Sequence, residues 1–277
     1  MSFLFLRRLA ALLAAAALLT GCASLPGAGD ASIAVADSPW AVQSGAAAAR
    51  WTHQVFPGKT PTSFEYVHID GRDAVAVRAD ASASMLRQPL RLEPNQLGLM
   101  RFSWKVPALM AEADLALRDK ADATVRVVLV FDGDRTRFSA RDTALSELTR
   151  AILGEELPYA TLMYVWSGRH PQGAVLPSAR TSRIRKLVVE SGPQRLGQWL
   201  AYERDVRADY QRAFGEAPGA LVGVGIMTDS DNTRDQARAP ALCSARVRRA
   251  TTPGKPLLTG LARVLHIRCS SDNEAQK

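Results

Sequence analysis

Apolar and polar residues alternate with a period of two through most of the middle of the chain, the signature of half-buried strands. In "RFSWKV" (101–106), Phe102, Trp104 and Val106 share one face, while Arg101, Ser103 and Lys105 share the other. "FEYVHID" (64–70) and "DAVAVRA" (73–79) predict a hairpin that turns at Gly71. "TVRVVLVF" (124–131) is apolar almost throughout, which predicts a strand covered on both faces. "TLMYVW" (161–166), "RIRKLVVE" (183–190), "GQWLAYERDV" (197–206) and "LVGVGIM" (221–227) complete the set. On the same parity Trp104 and Trp199 are expected in the core.

Two helices interrupt the strands. Ser139 and Asp142 have capping-box spacing, Leu145, Leu148 and Ile152 form an apolar stripe, and Gly154 stops the helix. Val206, Tyr210 and Phe214 stack at i, i+4 and i+8 of a second helix over about 206–214, ended by Gly215 and Pro218. Helices do not alternate with strands, which disfavours a parallel βαβ sheet. The pattern predicts a mainly β protein, two packed antiparallel sheets with two short covering helices.

The first residues are an address. Arg7 and Arg8 precede the apolar stretch Leu9 to Leu19, too short to span a bilayer, and the segment ends in Leu19-Thr20-Gly21-Cys22. That ending resembles a bacterial lipobox, so residues 1–21 are expected to be a signal peptide and Cys22 the lipidated mature N-terminus. The partner is then a membrane, held through the lipid. Ala23 stands where inner-membrane lipoproteins usually carry Asp, which points to the outer membrane facing the periplasm. Residues 22–50, small and sparsely charged, read as a flexible tether.

The formal charge of +8 is concentrated at the C-terminal end. From Gln236 to Ser271 there are seven arginines and lysines and no acid. The body is nearly balanced, so a nucleic-acid partner is not expected. A basic tail could instead meet lipopolysaccharide or remain solvated. With Cys22 lipidated, Cys243 and Cys269 could form a disulfide in an oxidising compartment. About 255 residues follow the signal, and one β-sandwich domain over 51–239 is the simplest division.

Six stretches in order, "RFSWKV", "RDKADATVRVVLVF", "LPYATLMYVW", "RIRKLVVESG", "LGQWLAYERDVRADYQRAFGE" and "GVGIMTDSDNT", resemble a bacterial family known only as domain of unknown function 3047 (DUF3047). The resemblance spans roughly residues 98–239 and implies a jelly-roll-like β-sandwich. It implies no activity, because the family has none established. Members tend to continue past the DSDNT loop with an aromatic-rich strand. Here "ARAPALCSARVRRATTPGKPLLTG" (237–260) stands instead. Residues 240–277 are therefore expected to be an atypical basic tail without that strand, as an altered reading frame would produce.

Two loops carry candidate chemistry. In "MTDSDNTRDQ" (227–236), Asp229, Asp231 and Asp235 could gather oxygen ligands for Ca²⁺. The spacing begins like an EF-hand and fails, with Arg234 at position six and Pro240 at position twelve. Asp229, Asp231 and Asn232 could equally meet a ligand's hydroxyls, or close a turn on their own backbone. In "YVWSGRHPQG" (164–173), Trp166 offers a stacking face beside Arg169 and His170, a set suited to a sugar or an acidic ligand. Glu203 and Asp205 alternate on one strand face, a weak echo of a glycosidase pair. No nucleophile elbow, zinc-protease motif or P-loop is present. The expectation is a non-catalytic, lipid-anchored protein that binds an envelope glycan or other ligand, with no cofactor beyond the possible Ca²⁺. A polysaccharide-acting enzyme using Glu203 or His170 and a structural or assembly lipoprotein with protein partners are the alternatives.

Overall fold

The computed structural model describes residues 51–233, 241–250 and 262–268. The signal, Cys22, the tether, Asp235 and Cys269 lie outside the described residues. The strands are β1 (Thr52–Val55), β2 (Ser63–Ile69), β3 (Arg72–Arg78), β4 (Ala83–Leu92), β5 (Leu99–Lys105), β6 (Ala123–Phe131), β7 (Ala160–Ser167), β8 (Val175–Pro177), β9 (Ile184–Ser191), β10 (Leu200–Asp205), β11 (Leu221–Asp229), β12 (Ala241–Ala250) and β13 (Ala262–Arg268). The helices are α1 (Ala140–Leu153) and α2 (Val206–Phe214). No described helix is long and apolar enough to cross a membrane.

The fold is mainly β, and its strands form two sheets. One has seven strands in the order β1-β4-β11-β6-β7-β9-β8, the other six in the order β10-β5-β13-β12-β3-β2. The chain passes repeatedly from one sheet to the other, as in a jelly roll. The β2–β3 hairpin turns where expected, with Asp70 and Gly71 both at positive φ. Pairing is antiparallel except for β7 with β9 and β13 with β5. The first exception arises because β8 takes the edge and β9 returns between it and β7. The expectation that no strand follows the DSDNT loop is corrected: β12 pairs with β3, β5 and β13 inside the six-stranded sheet. Backbone pairing does not need the aromatic residues whose lack suggested otherwise.

The sheets meet face to face over one core. Val125, Val127, Leu129 and Phe131 of β6 and Leu162, Tyr164 and Trp166 of β7 pack toward Phe102 and Trp104 of β5. Phe102 stacks on Tyr164 at 5.5 Å between ring centroids, and Trp104 on Trp166 at 6.3 Å. Trp199 is only half-buried and donates from Nε1 to Asp70 at 2.7 Å.

Helix α2 covers one end of the sandwich. Asp205 caps it by accepting from the N–H groups of Arg207 and Ala208, and Gly215 ends it at φ 72°. Val206 and Tyr210 are buried, and Tyr210 meets Phe131 edge-on at 4.6 Å. Helix α1 starts at Ser139, which accepts from the Asp142 N–H, and stops at Gly154. Its packing is the reverse of expectation. Leu148 and Ile152 are 55% and 62% exposed, while Asp142 and Ser146 are buried. The helix is held by polar contacts: Asp142 accepts hydrogen bonds from Ser139, Thr181 and Ser182, and Arg135 donates to Ser146.

Burial alone would raise the Asp142 carboxyl. The hydrogen bonds from Ser182, Thr181 and Ser139 outweigh it and hold the group at about 2. A carboxyl depressed in the folded state contributes stability that is present above its ordinary pKa of 3.8 and lost as pH falls toward about 2. Asp142→Asn should therefore lower the unfolding free energy near neutral pH by roughly 1–3 kcal/mol. It should also flatten the loss of stability across that acid window, as followed by urea unfolding monitored at several pH values.

Candidate functional site

The seven-stranded sheet has an outer face, and strand register shows what it presents. Arg87 of β4, Gly225 of β11, Val128 of β6, Met163 of β7 and Lys186 of β9 lie in one row across five strands. The next row is Pro89, Gly223, Val130, Thr161 and Ile184. An outer sheet face normally carries polar side chains toward water. This one carries methionine, valine, isoleucine and, on β11, two glycines. A Cβ at Gly225 would stand 2.6 Å from Met85 Sδ, so the methionine lies where a side chain would otherwise be. At Gly223 such a Cβ would stand 3.6 Å from Val130 Cβ, an ordinary van der Waals contact, so a side chain could be seated there without displacing a neighbour.

Walls rise around this floor and enclose a groove of about 760 Å³. One wall is the segment 107–122, with Leu115 buried against Val165 and Val188. Another runs from Glu155 to Tyr159, with Arg135 and Thr149 behind it, and residues 54–59 close a third side. The first wall is tied down by donors aimed at its main chain. Arg169 donates to the carbonyls of Ala111 and Ala113, Lys186 to Leu115 at 2.7 Å, and Thr124 to Ala108. His170 Nε2 meets Asp114 at 2.7 Å, and this contact, with the Ala116 N–H, holds the Asp114 carboxyl below its usual value.

The DSDNT loop forms one end of the groove. Asp229 is buried and accepts three hydrogen bonds from Arg126 and one from the Ala123 N–H. Burial pushes its carboxyl upward against the pull of the Arg126 guanidinium, and Asp122 adds to the rise. Asp122, also buried, accepts from the side chains of Asn232 and Thr233 and from the Thr233 N–H. Asp231 pairs with Lys59. Oxygens of Asp122, Asp229 and Asp231 lie within 4.8 Å of one another. Arg126 and Lys59 pair with two of the three carboxylates, and Asp122 is held by neutral N–H and O–H donors.

The structure thus sorts the expected site residues. Asp229, Asp231 and Asn232 border the groove. Arg169 and His170 stand behind it, pinning its wall. Trp166 is 2% exposed, sandwiched in the core with Nε1 donating to the Gly192 carbonyl, and has no face for a sugar ring. The reason is parity: Trp166 falls in phase with Leu162 and Tyr164, both inward. Glu203 pairs with Arg101 across β5 and β10, and Asp205 caps α2, so they do not form a working pair. Asp235 and Cys269 lie outside the described residues, and with them the third expected Ca²⁺ ligand and the Cys243–Cys269 bridge.

Sequence reasoning missed Asp122, Lys186 and the whole floor. Two signals pointed to it: the both-face apolarity of "TVRVVLVF" and the alternating glycines of "LVGVGIM". Lys186 is 5% exposed, and burial, with the Arg126 charge nearby, lowers its ammonium to about 8.

The buried Arg126–Asp229 pair makes a double-variant test decisive. Removing one partner leaves an uncompensated buried charge, so Arg126→Met should cost about 3–5 kcal/mol in chemical unfolding. The double variant Arg126→Met/Asp229→Leu should recover most of that loss.

Compared with known proteins, the family model described as protein of unknown function (DUF3047) matches residues 49–241. No curated protein matches the chain.

Proposed function

The chain belongs to the DUF3047 family, and on that premise we propose that it is a non-catalytic ligand-binding β-sandwich protein of the cell envelope. The observation that carries the reading is the walled, largely apolar outer face of the seven-stranded sheet, with Gly223 on the floor of the groove. Binding sites are concave, mostly apolar and edged by a few polar groups, with volumes of about 300–1,000 Å³. The groove has that character, and its size falls within that range. The ligand lies against the sheet and not on the loop tips, with the DSDNT carboxylates at one end. The acids and the histidine that an enzyme reading would use are held in ion pairs, a helix cap and a wall contact, which favours binding over turnover.

The envelope setting comes from the leader: Arg7 and Arg8, a short apolar stretch and Leu19-Thr20-Gly21-Cys22. Lipid on Cys22 supplies roughly 0.8 kcal/mol per buried methylene and tethers the domain to a membrane. Cys22→Ser should move the chain from the membrane fraction to the soluble periplasmic fraction. Retention at the membrane would remove the lipid anchor from this reading.

The groove is tested by thermal unfolding of the full chain carrying Cys22→Ser, with fragments of envelope glycans and with membrane lipids. A ligand present at 100 times its dissociation constant adds roughly 2.7 kcal/mol. Gly223→Leu, which places a side chain on the groove floor where a Cβ meets only ordinary contacts, should abolish that shift while leaving the unliganded midpoint nearly unchanged. A shift that survives Gly223→Leu would take the binding site off the sheet.

A further inference from the structure

The charged residues bordering the groove do not cancel. Seven are cationic (Lys59, Arg87, Arg118, Arg126, Arg135, Arg180, Lys186) and five are acidic (Asp132, Glu155, Glu156, Asp229, Asp231), so the excess is two positive charges. All five acids are engaged: Asp132 by Arg91, Glu155 by Arg87, Glu156 by Arg135, Asp229 by Arg126 and Asp231 by Lys59. Arg118, Arg180 and Lys186 have no carboxylate partner in an ion pair among the described residues. These three belong to one side of the groove. Arg118 follows Leu115, whose carbonyl Lys186 holds, and Arg180 lies near enough to Lys186 to act on its charge.

The uncharged lining is mostly aliphatic and thioether, with Gln54, Gln88, Thr149, Thr161, Ser178 and Asn232 as its neutral polar side chains. Met85, Val128, Val130, Met163 and Ile184 form the floor, a flexible apolar surface suited to a chain more than to a flat ring. Of the three aromatic rings at the border, Tyr159 is covered by Phe138 and Arg183, and Phe131 faces the core at Tyr210, which leaves Phe56. A sugar would want free aromatic faces and a dense polar floor, and the groove offers neither.

We propose that the groove takes an anionic amphiphile, its apolar chain along the floor and its carboxylate or phosphate against Arg118, Arg180 and Lys186. This deepens the binding reading above and rests on it. A single-chain carboxylic acid and a lipid phosphate share the chemistry, and guanidinium groups accept either oxyanion.

The test measures affinities of decanoate, decyl phosphate and decanol for the full chain carrying Cys22→Ser, by calorimetry below their aggregation concentrations. The two anions should bind about tenfold or more tightly than decanol, the scale of one charge-assisted contact. Whichever anion is preferred names the headgroup. Arg118→Gln/Arg180→Gln, both exposed positions, should collapse the preference for anion over alcohol. Lys186→Gln should weaken anion binding further. Equal binding of decanol, or a preference unchanged in the double variant, would overturn the anionic end and leave the groove reading standing. Binding undiminished by Gly223→Leu would overturn both. No binding of any probe, or a dimer that Gly223→Leu converts to monomer, would overturn the amphiphile. The glycan arm of the unfolding test then judges the groove by itself.

Discussion

Strand β6 is apolar on both sides, and each side is answered by a different part of the molecule. Val125, Val127, Leu129 and Phe131 meet the aromatic layer shared with the opposing sheet. Val128 and Val130 look outward, where water would be costly at roughly 25 cal/mol per Å² of apolar surface, and the walls shelter them. The first requirement makes a sandwich. The second makes the sandwich carry a roofed outer face, which most exposed sheets lack. Core and groove are therefore two consequences of one strand, and the central place of β6 in the seven-stranded sheet passes the constraint to β11 and β7 on either side.

Polar groups then decide where the pieces sit. Glu216 accepts from Tyr159, Tyr210 and Arg183 and pairs with Arg137, which joins α2 to the seven-stranded sheet. Asp209 does the same with Tyr164 and Arg204. Asp142 fixes α1 to the 181–182 turn. These are buried or half-buried acids whose acceptor capacity is filled by several donors, the condition under which such groups specify an arrangement and do not merely cost desolvation. The same logic explains the DSDNT loop, whose carboxylates tie the start of β6, the end of β11 and Lys59 together.

Much of the fold was legible from local pattern. The β2–β3 turn was marked by Gly71, α2 by its i, i+4, i+8 stack and its glycine stop, and β6 by its unbroken run. β4 was hidden because "ASMLRQPLRL" mixes arginine, proline and glutamine into a strand that is paired by β11 along its length and by β1 only over Ser84–Arg87, with one partly open face. The α1 stripe misled because Leu148 and Ile152 have helical spacing without a partner to meet, while Asp142 and Ser146 do the packing. The groove was beyond a linear reading for a different reason. Its floor draws alternate residues from five strands whose spatial order is not their chain order, and it includes a glycine, Gly223, which has no side chain for a pattern search to find. Trp166 shows the complementary error: its identity suggested a ligand platform, while its phase with Tyr164 placed it inside.

The 107–122 wall is attached in good part through its carbonyl oxygens, those of Ala108, Ala111, Ala113, Leu115 and Ala121 receiving donors from Thr124, Arg169, Lys186 and Arg126, beside the side-chain anchors Met110, Asp114, Leu115 and Asp122. A carbonyl is present whatever residue bears it. Its exposed side chains are thus free to vary while its course over the sheet stays fixed, and the donors that hold it sit on β6, on β9 and in the loop after β7. Such a segment can drift under mutation and retune what the groove admits without passing through an unfolded intermediate. Divergent ligand preference among proteins that share the sandwich would then be a matter of a few wall substitutions, each affordable to a fold that does not depend on them.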